Sequence, residues 1–410
     1  MTHHVWWVFL SPIPRMSPPT VSAPSSSPAP RALVARGLKA VIAVVGLVAL
    51  ALVGVRLRYG GGEPYPDVTG MPLLPDSALE EVVRSPEPIG NVAVSSTGRV
   101  FYTIHPESRP QGAKLFEWVD GKAVPFPSEA VQARLFDTVL GITIDRRGWL
   151  WTIDHGNHGL GVPRLLAFEL ATGHLAHEYD VPPQVAPPGS FLQDLRVDAR
   201  GETVFIADVG FWRRSPALII HDVATKESRR VLEKHDAVFP QDFIIRNPIK
   251  DMEFFGGLAA LKCGVDGIAL DPSDEWLWFG AMNHDTMYRV RTADLRDRAL
   301  DDEALGTRLQ AVGRKPLNDG LSADTEGNVL VTDVEHGAVL RMSPDGRLQT
   351  LVKSPRLRWA DALNHGPDGW LYVADSAIPH HMLQSKAHIA KNAPYFIYRF
   401  KPGIGGIAGM

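Results

Sequence analysis

The chain has 410 residues and a formal net charge of −4, with 45% hydrophobic and 21% charged residues, which suits one large globular domain or two ordinary ones. So small a charge, with no Lys/Arg-rich run and no aromatic-interleaved basic patch, argues against nucleic acid as a partner. Cys263 is the only cysteine, which excludes an intramolecular disulfide and a cysteine-ligated zinc site.

Residues 1–37 are rich in Pro and Ser ("SPPTVSAPSSSPAP") and are expected to form a disordered cytoplasmic tail. Residues 38–57 follow as an expected transmembrane signal anchor, uncharged from Ala40 to Val55 and bracketed by Lys39 and Arg56. Arg15, Arg31, Arg36 and Lys39 precede it, so the positive-inside tendency keeps the N-terminus in the cytoplasm. The rest of the chain then lies on the extracytoplasmic, periplasmic side of the cell membrane. A cleaved signal peptide, giving a secreted protein, is the second reading, and a buried core helix the third. Residues 58–75, with "YGGGEPYP", read as a linker.

From residue 76 a hairpin recurs. "GNVAVSSTGRVFYTI" (90–104), "LGITIDRRGWLWTID" (140–154), "QDLRVDARGETVFIAD" (193–208), "VDGIALDPSDEWLWFG" (265–280), "NDGLSADTEGNVLVTD" (318–333) and "ADALNHGPDGWLYVAD" (360–375) share one plan. Each has a small or acidic start, an alternating strand, a Gly/Asp turn and a second hydrophobic strand. Two further strands follow in each copy, as in "RLLAFELATG" (164–173) and "YFIYRFKP" (395–402). A four-stranded unit repeating every ~40–50 residues predicts an all-β, six-bladed propeller of antiparallel blades over residues 76–410. Stacked blades cover faces that a lone sheet leaves wet, an advantage that a large β-sandwich does not explain six times over. "LEEVVRS" (79–85) is expected to supply a ring-closing strand. The longer interval from Leu232 to Gly264 should be a loop excursion with a short helix near "PIKDMEFFGGLAALK".

In a propeller the first strand of each blade lines the central channel, so equivalent positions meet at one hub. Aligned on Asp319, the copies contribute Asn91, Leu140, Asp194, Asp266 and Asp361. Four carboxylates held together either retain protons or share a cation. Oxygen ligands favour calcium, magnesium or the ammonium group of a ligand. Against this, Asp or Asn at a strand start is a common turn choice. Asp154, Asp208, Asp333 and Asp375 end the second strands and are expected to cap turns. His155 and His158 form an H-x-x-H with no third ligand evident, a poor zinc site; His380 and His381 read as loop histidines. Trp149, Trp151, Trp276, Trp278 and Trp370 read as packing between blades. No P-loop, dinucleotide fingerprint, G-x-S-x-G or H-E-x-x-H occurs, so neither a nucleotide cofactor nor serine chemistry has support.

"QDLRVDARGETVFIADVG", "VDGIALDPSDEWLWFGAMNHDTMYRVRTADLRD" and "SAIPHHMLQSKAHIAKNAPYFIYRF" resemble the major royal jelly / yellow family in its bacterial branch. The resemblance spans roughly residues 79–402. It implies a six-bladed propeller, export, and a small-molecule site at the channel mouth that takes biogenic amines or catechol-like compounds such as dopachrome. Insect members carry disulfides, which one cysteine cannot reproduce. The chain also resembles, more distantly, the senescence-marker / gluconolactonase propellers. That likeness implies a divalent metal on Asp266 and Asp319, with Asn318-Asp319-Gly320 as a substrate-binding triplet; the group's first-blade glutamate has no clear match, Asn91 standing nearest.

Three functions therefore remain open. The first is binding, or conversion through a carboxylic acid of raised pKa, of a small cationic or catechol-like ligand at Asn91, Asp194, Asp266, Asn318, Asp319 and Asp361. The second is metal-dependent lactone hydrolysis, with the ion polarising the carbonyl and activating water. The third is a non-enzymatic platform for another protein.

Overall fold

The computed structural model describes residues 30–410; most of the expected N-terminal tail lies outside them. A helix runs from Pro30 to Tyr59, beginning earlier than residue 38, and its Gly37–Tyr59 portion is long and apolar enough to cross a membrane. The chain divides into two compact units, residues 1–54 and 55–410.

The second unit is a six-bladed propeller of four-stranded antiparallel sheets. Blade 1 comprises Ile89–Val94, Val100–Ile104, Leu115–Val119 and Lys122–Pro125; blade 2 comprises Val139–Ile144, Trp149–Asp154, Arg164–Glu169 and Leu175–Asp180. Blade 3 comprises Leu192–Val197, Thr203–Asp208, Ala217–Asp222 and Glu227–Val231; blade 4 comprises Val265–Leu270, Trp276–Ala281, Thr286–Arg291 and Gln310–Arg314. Blade 5 comprises Leu321–Ala323, Val329–Asp333, Ala338–Met342 and Leu348–Lys353. Blade 6 takes Ala360–His365, Leu371–Asp375 and Tyr395–Phe400 from the end of the chain. Its fourth strand, Glu80–Ser85, comes from before blade 1 and pairs antiparallel with Tyr395–Phe400. The ring is thus closed by the segment expected to close it.

Hydrophobic side chains of adjacent blades share cores. Leu195 and Val204 of blade 3 join Trp151 and Leu165 of blade 2 in one cluster, and Ala362 and Tyr372 of blade 6 join Val92 and Tyr102 of blade 1 in another. Trp151 and Trp278 are buried between blades, while Trp149, Trp276 and Trp370 pack at the edges of such clusters. The far end of the channel is filled by the backbone of Gly409 and Met410. Their carbonyls accept bonds from Ile144 and Thr143 of blade 2, Ser322 of blade 5 and His365 of blade 6.

The excursion between blades 3 and 4 contains no helix over residues 248–262. Glu253–Phe254 pairs with Ala259–Ala260 in a small hairpin, because Phe255, Gly256 and Gly257 all take left-handed backbone and turn the chain sharply. Residues 60–75 lie against the propeller: Glu63–Pro64 pairs in parallel with Phe243–Ile244, and the Tyr65 hydroxyl donates to the Lys315 carbonyl at 2.7 Å.

The inner strands converge so tightly that a Cβ built on Gly141, Gly267 or Gly320 would strike the backbone carbonyl of Gln193, Asp319 or Asp361, each in or just before the next blade's first strand. Gly320→Ala should therefore lower stability by about 3 kcal/mol or more, read as a fall in the urea midpoint with little change in slope.

Candidate functional site

In blades 1, 2, 3, 4 and 6 the ladder between the first two strands skips one residue near its start. In blade 3 the register shifts between Leu192 and Leu195, in blade 4 between Val265 and Ile268, in blade 6 between Ala360 and Leu363. The pairing makes Leu192, Val265 and Ala360 equivalent, so the positions that match Asp319 are Asp266, Asp361, Gln193, Leu140 and Gly90. Asn91 and Asp194 sit one residue further along, level with Gly141, Gly267 and Gly320. The expected one-to-one register is thus corrected at blades 1 and 3. The offset shows in the count to the turn glycines: Asp319 and Asp361 stand eight residues before Gly327 and Gly369, whereas Asn91 and Asp194 stand seven before Gly98 and Gly201.

The acids nevertheless meet. Asp194, Asp266, Asp319 and Asp361 are all buried, and each of the last three feels the charge of Asp194. Their surroundings differ. Asp194 is close to Asn91 (Nδ2–Oδ1 3.4 Å) and to the buried Arg196 guanidinium (3.9 Å). Asp319 accepts from Gln193 Nε2 at 3.0 Å and from Trp359 Nε1 at 2.7 Å. Asp266 has no hydrogen-bond partner on either oxygen, nor has Asp361 on Oδ2 or Asn318 on Oδ1, among the described residues. Asn318 Nδ2 donates to the carbonyl of Asp319 at 2.8 Å.

Protonation follows from these contacts. Burial, reinforced by Asp319, Asp194 and Asp361, holds the Asp266 carboxyl well above its ordinary range. Burial pushes Asp319 up to about 7, although the Trp359 and Gln193 donors favour its charged form. Asp361 is raised by burial first and by Asp319 next. Asp319, with two donors on its oxygens, therefore gives up its proton more readily than Asp266, which has none. Lys315, buried with its Nζ donating to the carbonyls of Ala281 (2.8 Å) and Pro316 (3.2 Å), is brought down to about 7 by burial, against the pull of Asp285, Asp333 and Asp266.

Asp266 and Asp319 form the foot of a cavity of about 110 Å³. Phe191, Phe211, Trp212, Phe254, Met282 and Met382 make its walls largely apolar, and Cys263, His105, Glu107 and His158 also line it. The Cys263 thiol is raised by burial and by the nearby acids, which suits an inert packing role. His158 Nε2 lies 2.9 Å from Glu107 Oε1, and His155 stacks on Phe191 with ring centroids 4.2 Å apart. His381 is buried against His105, while His380 ends the 3₁₀ turn Ile378–His380 and lies near His388, ring centroids 6.0 Å apart. The strand-end acids cap loops as expected: Asp154 accepts from Thr138 and Gly156 amides, Asp208 from Phe191 and Gly210, Asp333 from Glu335 and His336, Asp375 from Trp359. Gln193, Trp359, Lys315 and Glu107 escaped sequence reading. Only Gln193 carried a signal, its place directly before an aspartate at a strand start.

The orphaned oxygens of Asp266, Asp361 and Asn318 have the chemistry of hard-cation ligands. Asp266, Asp319 and Asp361 do not form a compact set of three carboxylates. Among the described residues, the one group of three His, Cys, Asp or Glu side chains with ligand atoms within 4.8 Å of one another is Asp67, Asp333 and His336, away from the cavity. There His336 Nδ1 already contacts Asp333 (3.0 Å), and Lys353 contacts Asp67 (3.2 Å).

The model of the major royal jelly protein family matches residues 137–364, more than half of the chain. The chain belongs to that family. No curated protein matches its sequence significantly. Similar solved structures are distant in sequence and share the propeller fold. A luciferin-regenerating enzyme is 12% identical, with 81% of this chain and 97% of that one covered and a TM-score of 0.52. A calcium-binding protein, regucalcin, from Agrobacterium tumefaciens is 16% identical, covering 82% and 96%, with a TM-score of 0.50. A putative gluconolactonase is 12% identical, covering 80% and 93%, with a TM-score of 0.51.

Because the folded protein keeps the Asp266 proton over a pH interval in which the unfolded chain has released it, this residue lowers stability progressively as pH rises above about 4. Asp266→Asn removes that penalty. It should raise unfolding free energy by on the order of 2 kcal/mol at pH 8, shrinking toward zero at pH 4, in paired urea titrations.

Proposed function

We propose that this family member binds a small cationic or catechol-like molecule in the apolar cavity, with its amine or hydroxyl groups on Asp266 and Asp319. The observation that carries the reading is the foot of the cavity. Two buried carboxyls stand there, one with both oxygens unpaired, under walls suited to a flat apolar body. A guest ammonium returns Asp266 to its charged form and relieves the crowding with Asp361 and Asn318 behind it. Guest hydroxyls find one protonated acid to donate and one carboxylate to accept. Asn91 and Asp194 take a supporting part, since Arg196 already balances Asp194. The apolar Gly37–Tyr59 segment, whose described side chains up to Leu57 are exposed, supports export with that segment retained as a single membrane anchor, the propeller lying outside the cytoplasm.

Metal-dependent lactone hydrolysis draws on the same orphaned oxygens of Asp266, but two donors already occupy Asp319 and, among the described residues, no compact set of three His, Cys, Asp or Glu ligands forms there. The amine reading is therefore preferred.

Dopamine at a hundredfold excess over its dissociation constant should stabilise the protein by about 2.7 kcal/mol in a thermal-shift experiment. The shift should persist in EDTA and vanish in Asp266→Asn. A shift produced by calcium or magnesium alone, together with calcium-dependent lactone hydrolysis lost in Asp319→Asn, would reverse the order of the two readings; silence toward both leaves the interaction-platform role.

A further inference from the structure

The rim of the cavity exposes large apolar side chains. Trp212 is 53% exposed, Phe255 71% and Leu383 56%, and all three line the cavity mouth. Leu160 is also exposed, in the loop that carries His158. Phe255 and Leu383 hold left-handed backbone (φ 53° and 57°), a conformation that bulky residues rarely adopt. The chain accepts that backbone cost while leaving both side chains in solvent, where they gain no burial.

The same loops receive the chain on its way into the propeller. The Tyr59 hydroxyl donates to the Trp212 carbonyl at 3.0 Å, Arg58 Nη2 donates to the Arg213 carbonyl at 3.3 Å, and Arg56 bonds the Gly257 carbonyl. Lys262 Nζ donates to the Gly60 carbonyl at 3.2 Å. Residues 56–60 are thus held against the loops that carry Trp212 and Phe255. Cations surround this rim. Arg56, Arg58 and Arg109 are exposed there, and Lys250 lies 5.5 Å from the Phe254 ring centre. Aromatic side chains interleaved with Arg and Lys are what a bilayer interface selects: rings at headgroup depth, cations against anionic phosphates.

We infer that the cavity rim, Trp212, Phe255 and Leu383 with Arg58 and Arg109, is a membrane-docking surface that seats the mouth of the propeller on an anionic lipid bilayer. This rests on the anchor reading above. A free-swinging propeller on a long linker would have no need of it, but residues 60–65 are stitched to the propeller by the Glu63–Pro64 ladder and the Tyr65 hydroxyl.

The experiment uses the full chain in nanodiscs of phosphatidylcholine and phosphatidylglycerol, with and without lipids brominated near the headgroup. Tryptophan emission is compared between the wild type and Trp212→Phe, so that the other tryptophans cancel. The contribution of Trp212 should fall by more than half with brominated lipid. In the Trp212→Phe background, Phe255→Trp should restore a quenched component. Equal quenching in wild type and Trp212→Phe, with no quenched component from Phe255→Trp, overturns the docking surface and leaves the rim to a protein partner. Carbonate extraction of the chain from membranes separates the two readings: release into the supernatant overturns anchor and docking together, whereas retention with an unquenched rim overturns docking alone.

Discussion

Glu80–Ser85 pairs with Tyr395–Phe400, and this one antiparallel ladder turns six stacked sheets into a closed wheel. Without it blade 6 would have three strands and the ring an open edge. With it, every inner strand must lean on the next, and glycine at positions 141, 267 and 320 is what allows the approach. Closure also brings residues from blades 1 to 6 within reach of one another, and so creates a buried polar hub that no single blade contains.

That hub is balanced unevenly, and the imbalance gives it chemistry. Four carboxyls share a region of low dielectric, where unpaired charge is costly. The chain compensates two of them directly: Asp194 through Arg196 and Asn91, Asp319 through Gln193 and Trp359. Lys315 adds a cation whose own burial pulls it toward neutrality. Asp266 is left as a protonated acid with free oxygens, at the foot of the cavity. A site of this kind discriminates by charge and hydrogen bonding at its floor and by shape at its apolar walls.

Several of these features were legible as residues but not as positions. Alternation and turn glycines mark all six hairpins, because a two-residue period is written into the order of side chains. The register at the hub was read with Asn91 and Asp194 in line with Asp319; the ladders place both one residue further along and put Gln193 in that line instead. Matching acid to acid hid an offset that the count to the turn glycines carries, seven residues from Asn91 and Asp194 against eight from Asp319 and Asp361. The helix expected near residue 250 failed for a related reason: Gly256 and Gly257 adopt left-handed backbone together and fold the segment into a hairpin.

Local order along the chain determined the six repeats, the apolar N-terminal segment, the family and the presence of acids at inner-strand starts, since each depends on neighbours within a few residues. Tertiary structure alone decided which acids are compensated, that Glu107 faces His158, that Lys315 is buried near the acids, and that the chain enters beside the cavity rim. Those outcomes depend on groups from different blades, separated by 126 residues in the case of Gln193 and Asp319. Only closure of the ring puts such groups at bonding distance, and no periodicity in the sequence encodes which of them will meet.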